Sequence, residues 1–349
     1  MMRMTRREMI GAAAALLPLA GARADAAQLH NMGGAPAGFP AHSRAARASG
    51  QPFDFVGHCH DLGFGVVETR LSSTEPDAIR QFRDRLESYH MRAIIDAPLP
   101  RSDSDLPAYE RVVKAAKEAG VVSMHTAMTQ RRYEQFDTLE AFHKDFERCQ
   151  ATIARAEPVL RKYSMRLGIE NHKGWRSAEQ AAWLHRLSSE WVGVHFDFGN
   201  NVSLCEDPSE TLHNLLPFIV ACHLKDMAVE PYEDGFLLSE VPLGEGFLDI
   251  PGMVAAIQAK NPNTPFDLEM ITRDPLKIPV FTDKYWVTFD DPSSPLPGRD
   301  LAHTLELVRK HPPKAPLPHT TGLTMPAYLK LEDDCVAKSI DYARQYLNL

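Results

Sequence analysis

The sequence predicts a (β/α)8 barrel, an α/β fold of the TIM type. Three observations carry that expectation. Short β-type runs alternate with helical stretches until eight strand–helix units are counted, the number that closes a parallel sheet on itself. The polar residues of four successive runs fall on one strand face, opposite an apolar face. Those polar residues also crowd the C-terminal ends of their runs, where barrels of this kind place their chemistry.

The elements follow in chain order. Residues 1–27 read as an export signal: Arg6 and Arg7 precede an apolar stretch too short to span a bilayer, and a run of small residues follows. The arginine pair resembles a twin-arginine signal, which implies a periplasmic destination. Residues 28–349 are expected to form one barrel domain with a C-terminal helical extension. A first strand lies near 29–33, followed by an irregular loop to about Gly50. Further strands are predicted at 65–71, 92–97, 121–128, 166–173, 192–200, 220–227 and 265–271. Between them, apolar residues three or four apart mark helices: Ile79, Phe82 and Leu86; Leu139, Phe142 and Phe146; Trp183, Leu184 and Leu187. Residues 312–318 are a proline-rich connection, and 331–347 read as a terminal amphipathic helix. No segment after the signal is long and apolar enough to cross a membrane.

Composition narrows the partners. The chain has 349 residues, 44% hydrophobic and 24% charged, which is ordinary for a globular protein with a large core. A formal net charge of −8 argues against nucleic acid, whose phosphates are bound by clustered Lys and Arg. Cys59, Cys149, Cys205, Cys222 and Cys335 are scattered, with no CxxC pair, so neither a thiolate zinc site nor a disulfide framework is indicated.

The strands carry the chemistry. In the fifth, Glu170 and His172 share one face; in the sixth, His195 and Asp197 do. The seventh pairs His223 with Lys225, and the eighth pairs Asp267 with Glu269. The opposite faces are apolar and suit the surrounding helices, so the polar faces point into the barrel. Buried carboxylates are costly unless paired or bound to a metal. Glu170, Asp197 and Glu269 converging with His223 therefore predict a divalent-metal site. Three oxygens and one nitrogen form a mostly hard ligand set, which favours Mn2+, with Mg2+, Co2+ and Zn2+ also able to occupy it.

From about Phe53 to Trp286 the chain resembles the sugar phosphate isomerase/epimerase superfamily, the xylose isomerase-like barrels. The resembling segments are GIENHKGWR (168–176), VGVHFDFGN (192–200), ACHLKDM (221–227), VPLGEGFLDIPGM (241–253) and FDLEMI (266–271). The resemblance implies one metal on strands five to eight, with Glu170, Asp197, His223 and Glu269 spaced 27, 26 and 46 residues apart. It also implies a carbohydrate substrate. The metal would polarise a carbonyl and stabilise an enediolate, while Glu170 and Glu269 move a proton beside it as acid and base. Return of the proton to the opposite face epimerises; return to the neighbouring carbon isomerises. His125, His172, Lys173, Asn200, Lys225 and Arg273 are the candidate substrate-binding residues.

This chain departs from the ketose 3-epimerases of that superfamily at two places. Asn200 stands where they often carry His, and Val229 where they carry Arg. Endonuclease IV, another member, gathers extra His and Glu ligands; His58 and His60 here are expected to be packing or surface residues. The last βα loop, 271–289, is expected to fold over the mouth, and the insertion 232–245 places Glu245 near the substrate or at the cap of the following helix. Two other functions fit the same residues. One is a lyase acting on keto-sugars or 3-keto-glycosides, and the other a non-catalytic sugar-binding barrel.

Overall fold

A computed structural model describes residues 28–349. The predicted export signal lies outside the described residues. Eight parallel strands close a barrel: β1 (Leu29–Gly34), β2 (Phe64–Thr69), β3 (Arg92–Asp96), β4 (Ser123–Thr126), β5 (Leu167–Glu170), β6 (Val192–Asp197), β7 (Ile219–Leu224) and β10 (Phe266–Leu268). Around the wall they run β1-β10-β7-β6-β5-β4-β3-β2, so the eighth barrel strand hydrogen-bonds to both the seventh and the first. Helices stand between successive strands, and the predicted helical stretches fall in Pro76–Ser88, Leu139–Tyr163 and Ser177–Leu187. Among the described residues no helix is long and apolar enough to cross a membrane.

Strand alternation sorts the side chains as the sequence predicts. Leu167, Ile169, Val194, Phe196, Cys222, Leu224, Phe266 and Leu268 face the helices in one continuous apolar core. Inside the barrel, Val66, Ile94 and Ala221 form a small separate plug. Above that plug the interior turns polar. Asp267 lies level with His223, and Asp197 with His223 on the other side. Gly33, on β1, makes room for this layer. A Cβ there would fall 2.2 Å from Asp267 Oδ1 and 2.7 Å from the Val66 Cβ.

Three local expectations need correction. The stretch before Gly50 is no irregular loop: Pro40–Ser49 is a helix. Its free N-terminal amides, on Ala41 and His42, donate to the Glu332 carboxylate at 2.6 and 3.1 Å. That cap comes from the last helix, Met325–Tyr346, and has no local signature. Secondly, the strand expected at 220–227 breaks at Lys225. A hairpin of β8 (Asp226–Tyr232) and β9 (Gly235–Val241) follows, and β11 (Leu276–Ile278) joins it as a third antiparallel strand. Gly235, at φ +154°, passes so close to this third strand that a Cβ would meet Ile278 O at 2.2 Å. Thirdly, β5 and β6 end earlier than expected, leaving 171–173 outside the barrel wall and Asn200–Leu204 as a 3-10 turn.

Candidate metal centre

Glu170 and Asp197 are the last residues of β5 and β6, His223 is next to last in β7, and Glu269 follows β10 directly. Parallel strands of a barrel deliver their C-terminal ends to one rim, so these four side chains meet although 99 residues separate the outer two in sequence. One ligand atom from each lies within 4.8 Å of the others, and all four residues are buried. His223 Nδ1 stands 3.9 Å from Glu170 Oε1, 4.0 Å from Asp197 Oδ2 and 3.7 Å from Glu269 Oε1. These spans are too long for hydrogen bonds, and among the described residues His223 Nδ1 has no hydrogen-bond partner. They match the separation of atoms that share an ion at about 2.1 Å each.

The orientation of His223 is set from below. Its Nε2 lies 2.9 Å from Glu68 Oε2. A carboxylate oxygen accepts, so Nε2 carries a hydrogen and Nδ1 is the nitrogen turned to the three carboxylates. Burial opposes charge on the ring, but Glu269 and Glu68 raise its pKa well above the ordinary value, so a bound ion would take the place of the Nδ1 proton. An imidazole steadied in this way by a carboxylate is a common arrangement behind metal-ligating histidines. The donor set thus fits a divalent ion.

Lys225 supplies positive charge to the same carboxylates. Its ammonium lies 2.6 Å from Asp197 Oδ2 and also contacts Glu269 Oε2. Burial disfavours that ammonium, yet Asp197 and Glu269 hold its pKa far above the ordinary lysine value. Burial likewise raises Glu269, but Lys225 and His223 outweigh it and hold the carboxyl down at about 2. For Glu170 the cost of burial is overcome by His172, His125 and His223, and its pKa falls well below the usual carboxylate range.

A second polar tier underlies the first. His125 Nδ1 is 2.6 Å from Asp96 Oδ1, and its Nε2 is 3.3 Å from Glu170 Oε2. Burial opposes the charge on His125, but Glu68, Asp96 and Glu170 raise its pKa to about 10. The His195 ring lies 4.2 Å from that of His223, and burial keeps it neutral. Asp267, fully buried beside Glu68, is pushed well above the carboxylate range by burial and by that neighbour. A cavity of about 680 Å³ adjoins this tier, with Arg70, Asp96, His125, Thr126 and Arg148 in its lining.

The other candidate residues also gather here, though several are engaged by the protein itself. Asn200 Nδ2 donates to Glu170 Oε1 at 2.7 Å, and its Oδ1 accepts from Lys173. Arg273 forms an ion pair with Glu240 on β9. His172 Nδ1 lies 3.1 Å from Thr129 O, and burial lowers its pKa to about 4, which leaves the ring neutral. Val229 lies in the apolar core of the hairpin. Glu245 reaches away from the mouth to Lys338, 2.8 Å distant. His58 packs against Phe39, His42 and Phe53, and His60 stacks on Tyr89. All five cysteines are free and buried.

The last βα loop reaches across the mouth to its neighbours. β11 joins the hairpin, Tyr285 Oη donates to Ser203 O at 2.9 Å, and Thr288 meets Arg132. Arg132, fully buried, lies between the rings of Phe142 and Phe289 and pairs with Glu179. Sequence reasoning missed Arg132, Glu240, Glu68 and Asp96. The last two had a signal. FGVVET and RAIID each end an apolar run with an acid, as LGIE does at Glu170. Glu240 lies on β9 and Arg132 opens a four-residue helix, both in insertions between barrel strands, where the eight-unit count does not look for site residues.

A closed eight-stranded barrel with acids and imidazoles gathered at the strand C-termini defines a TIM barrel with its polar site at the usual rim. The chain belongs to the xylose isomerase-like TIM barrel family, which it matches over residues 56–288. It is also 29% identical over 108 residues to a 3-oxo-isoapionate decarboxylase of Pectobacterium atrosepticum. That match takes in 30% of this chain and spans 39% of the relative's length. Among solved structures, a D-psicose 3-epimerase crystallised in the presence of D-fructose superposes with a TM-score of 0.52. The identity is 12%, covering 84% of this chain and 93% of that one. A 3-keto-D-glucoside 4-epimerase from E. coli gives 0.50 at 13% identity, covering 80% and 99%. At these identities the likeness is one of fold.

Proposed function

We propose that this chain is a divalent-metal-dependent carbohydrate isomerase or epimerase that moves a proton beside a carbonyl. The observation that carries the reading is the convergence of Glu170, Asp197 and Glu269 on the unpartnered Nδ1 of His223. These four residues would hold the ion, with Mn2+ preferred by the mostly oxygen donor set. When bound, the ion supplies Lewis acidity to a substrate carbonyl and to the enediolate that follows proton loss.

The protein's own groups handle the proton. Glu170 and Glu269 project from different strands, so a sugar carbon between them has a carboxylate on either side. Glu269, held ionised by Lys225, is the base. Glu170 is the partner carboxylate on the other side, and protonated His125, whose Nε2 lies 3.3 Å from the Glu170 Oε2, is the reserve from which the returning proton comes. Asp96 steadies the other ring nitrogen of His125 beside the adjoining cavity. Asn200 fixes the remaining oxygen of Glu170. The small exposure of Glu170, Glu269 and His125 (6%, 7% and 7%) keeps bulk water away from the transfer. Work in the periplasm after twin-arginine export is part of the same proposal.

A lyase is the second reading, favoured by the partial match to a decarboxylase. The same proton donor that serves epimerisation would quench the carbanion left by bond cleavage.

The test is incubation of the Mn2+-loaded protein with ketoses, aldoses and 3-keto-glycosides in D2O, followed by NMR. Deuterium at the carbon beside the carbonyl of an epimerised or isomerised sugar supports the proposal, and Glu269→Gln should abolish it. Release of an aglycone or of CO2 moves the assignment to the lyase. Bound metal with no exchange on any sugar overturns both in favour of a binding protein.

A further inference from the structure

Lys225 and Lys173 are buried near the mouth and Arg273 is half-buried beside them, and two of these three cations have protein partners. Lys225 lies between Asp197 and Glu269, and Arg273 faces Glu240. Lys173 is different. It is 3% exposed, yet among the described residues no carboxylate stands at ion-pair distance from its ammonium. Its side-chain hydrogen bond goes to the neutral carboxamide oxygen of Asn200. Burial, followed by the charges of Lys225 and Arg273, outweighs the more distant Glu240 and Asp197 and drives its pKa down to about 8. Taking an ammonium out of water without a counter-ion is strongly unfavourable, and a hydrophobic or neutral polar residue would avoid the cost.

The position of this ammonium says what would compensate it. The Asn200 carboxamide holds Lys173 with its oxygen and Glu170 Oε1 with its nitrogen, 2.7 Å away. A group paired with Lys173 therefore sits one amide away from the proposed proton-transfer carboxylate. We propose that Lys173 is an anion anchor and that the substrate is a sugar acid, with its carboxylate at Lys173 and its carbonyl between Glu170 and Glu269. A single uncommitted positive charge suits a carboxylate monoanion better than a phosphate dianion, which calls for several free donors. This inference rests on the proposed function for the placement of the carbonyl, but the anion anchor itself rests on Lys173 and Asn200 alone.

The experiment is calorimetric titration of the Mn2+-loaded protein with 5-keto-D-gluconate, D-fructose and D-fructose 6-phosphate, on wild type, Lys173→Met and Lys173→Arg. A charge-assisted contact predicts that wild type binds the keto acid about tenfold more tightly than D-fructose. Lys173→Met should lose that preference, and Lys173→Arg should keep part of it. Because the methionine removes an unpaired buried charge, ligand-free Lys173→Met should melt no lower than wild type. Equal binding of D-fructose, no binding of the keto acid, a preference that survives in Lys173→Met, or tighter binding of the phosphate each overturns the anchor.

Deuterium exchange separates this result from the parent reading. Exchange into 5-keto-D-gluconate that is indifferent to Lys173→Met would leave proton transfer standing and the anchor refuted. Binding of the keto acid that depends on Lys173, with no exchange into any sugar, would do the reverse.

Discussion

His223 gives its Nε2 hydrogen to Glu68 across 2.9 Å, and this one contact turns its other nitrogen toward three carboxylates. Glu68 comes from β2 and His223 from β7, on opposite parts of the barrel wall. The pair spans the interior below the proposed ion.

Loss of Glu68 should therefore weaken metal binding while leaving all four ligands in place. Glu68→Ala is expected to reduce Mn2+ affinity by about 10–100-fold, the usual effect of removing a carboxylate behind a ligating histidine. Competition against a chelator measures it, with circular dichroism to confirm the fold. Unchanged affinity would mean that His223 is oriented by something else.

Lys225 and a bound cation neutralise the same acids, so their contributions to stability should be coupled. In the metal-free protein, Lys225→Met leaves Asp197 and Glu269 buried without their ammonium, and the expected loss is about 3–5 kcal/mol. Mn2+ should restore most of it, since an ion that binds the folded state stabilises by mass action. Melting curves with and without Mn2+ decide the matter. A metal-free Lys225→Met protein that melts like wild type contradicts the charge argument.

Far from the mouth, Glu332 docks the last helix on the first. Its carboxylate is fully buried and accepts from Ala41 N, His42 N and His42 Nδ1. The hydrogen bond to Glu332 raises the pKa of His42, and burial only partly opposes it. A histidine that binds its proton more tightly when folded adds stability that is complete below its unfolded pKa of about 6.5. That contribution disappears as pH rises through the higher folded value. Glu332→Gln should cost about 3 kcal/mol by breaking a buried charged pair, and should flatten the stability loss that wild type shows above about pH 6.5. Urea midpoints across a pH series report both effects; a slope unchanged by the substitution would remove His42 from the account.

Much of this site was legible in the chain before any coordinates. The period-two pattern of LGIE, VHFD, CHLK and DLE places Glu170, Asp197, His223 and Glu269 on one face, and the barrel follows from counting alternations. The same signature at FGVVET and RAIID held Glu68 and Asp96, which is a matter of applying the rule to strands two and three as well. The helix Pro40–Ser49 was not legible, because the acid that caps it lies some 290 residues later. Nor was the hairpin after β7, where strand character continues past Lys225 but pairs outside the barrel.

The barrel and the convergence of Glu170, Asp197, His223 and Glu269 follow from the sequence alone, because strand periodicity is local and the parallel topology brings every strand end to one rim. Only the tertiary structure decided which charges those side chains meet. Lys225 stands between Asp197 and Glu269, and Arg273 faces Glu240. Pairing of this kind depends on distances between strands and loops far apart in the chain, which no spacing along one strand encodes. Lys173, which among the described residues has no carboxylate at ion-pair distance, holds only the Asn200 carboxamide, and no pattern along its own segment foretells that.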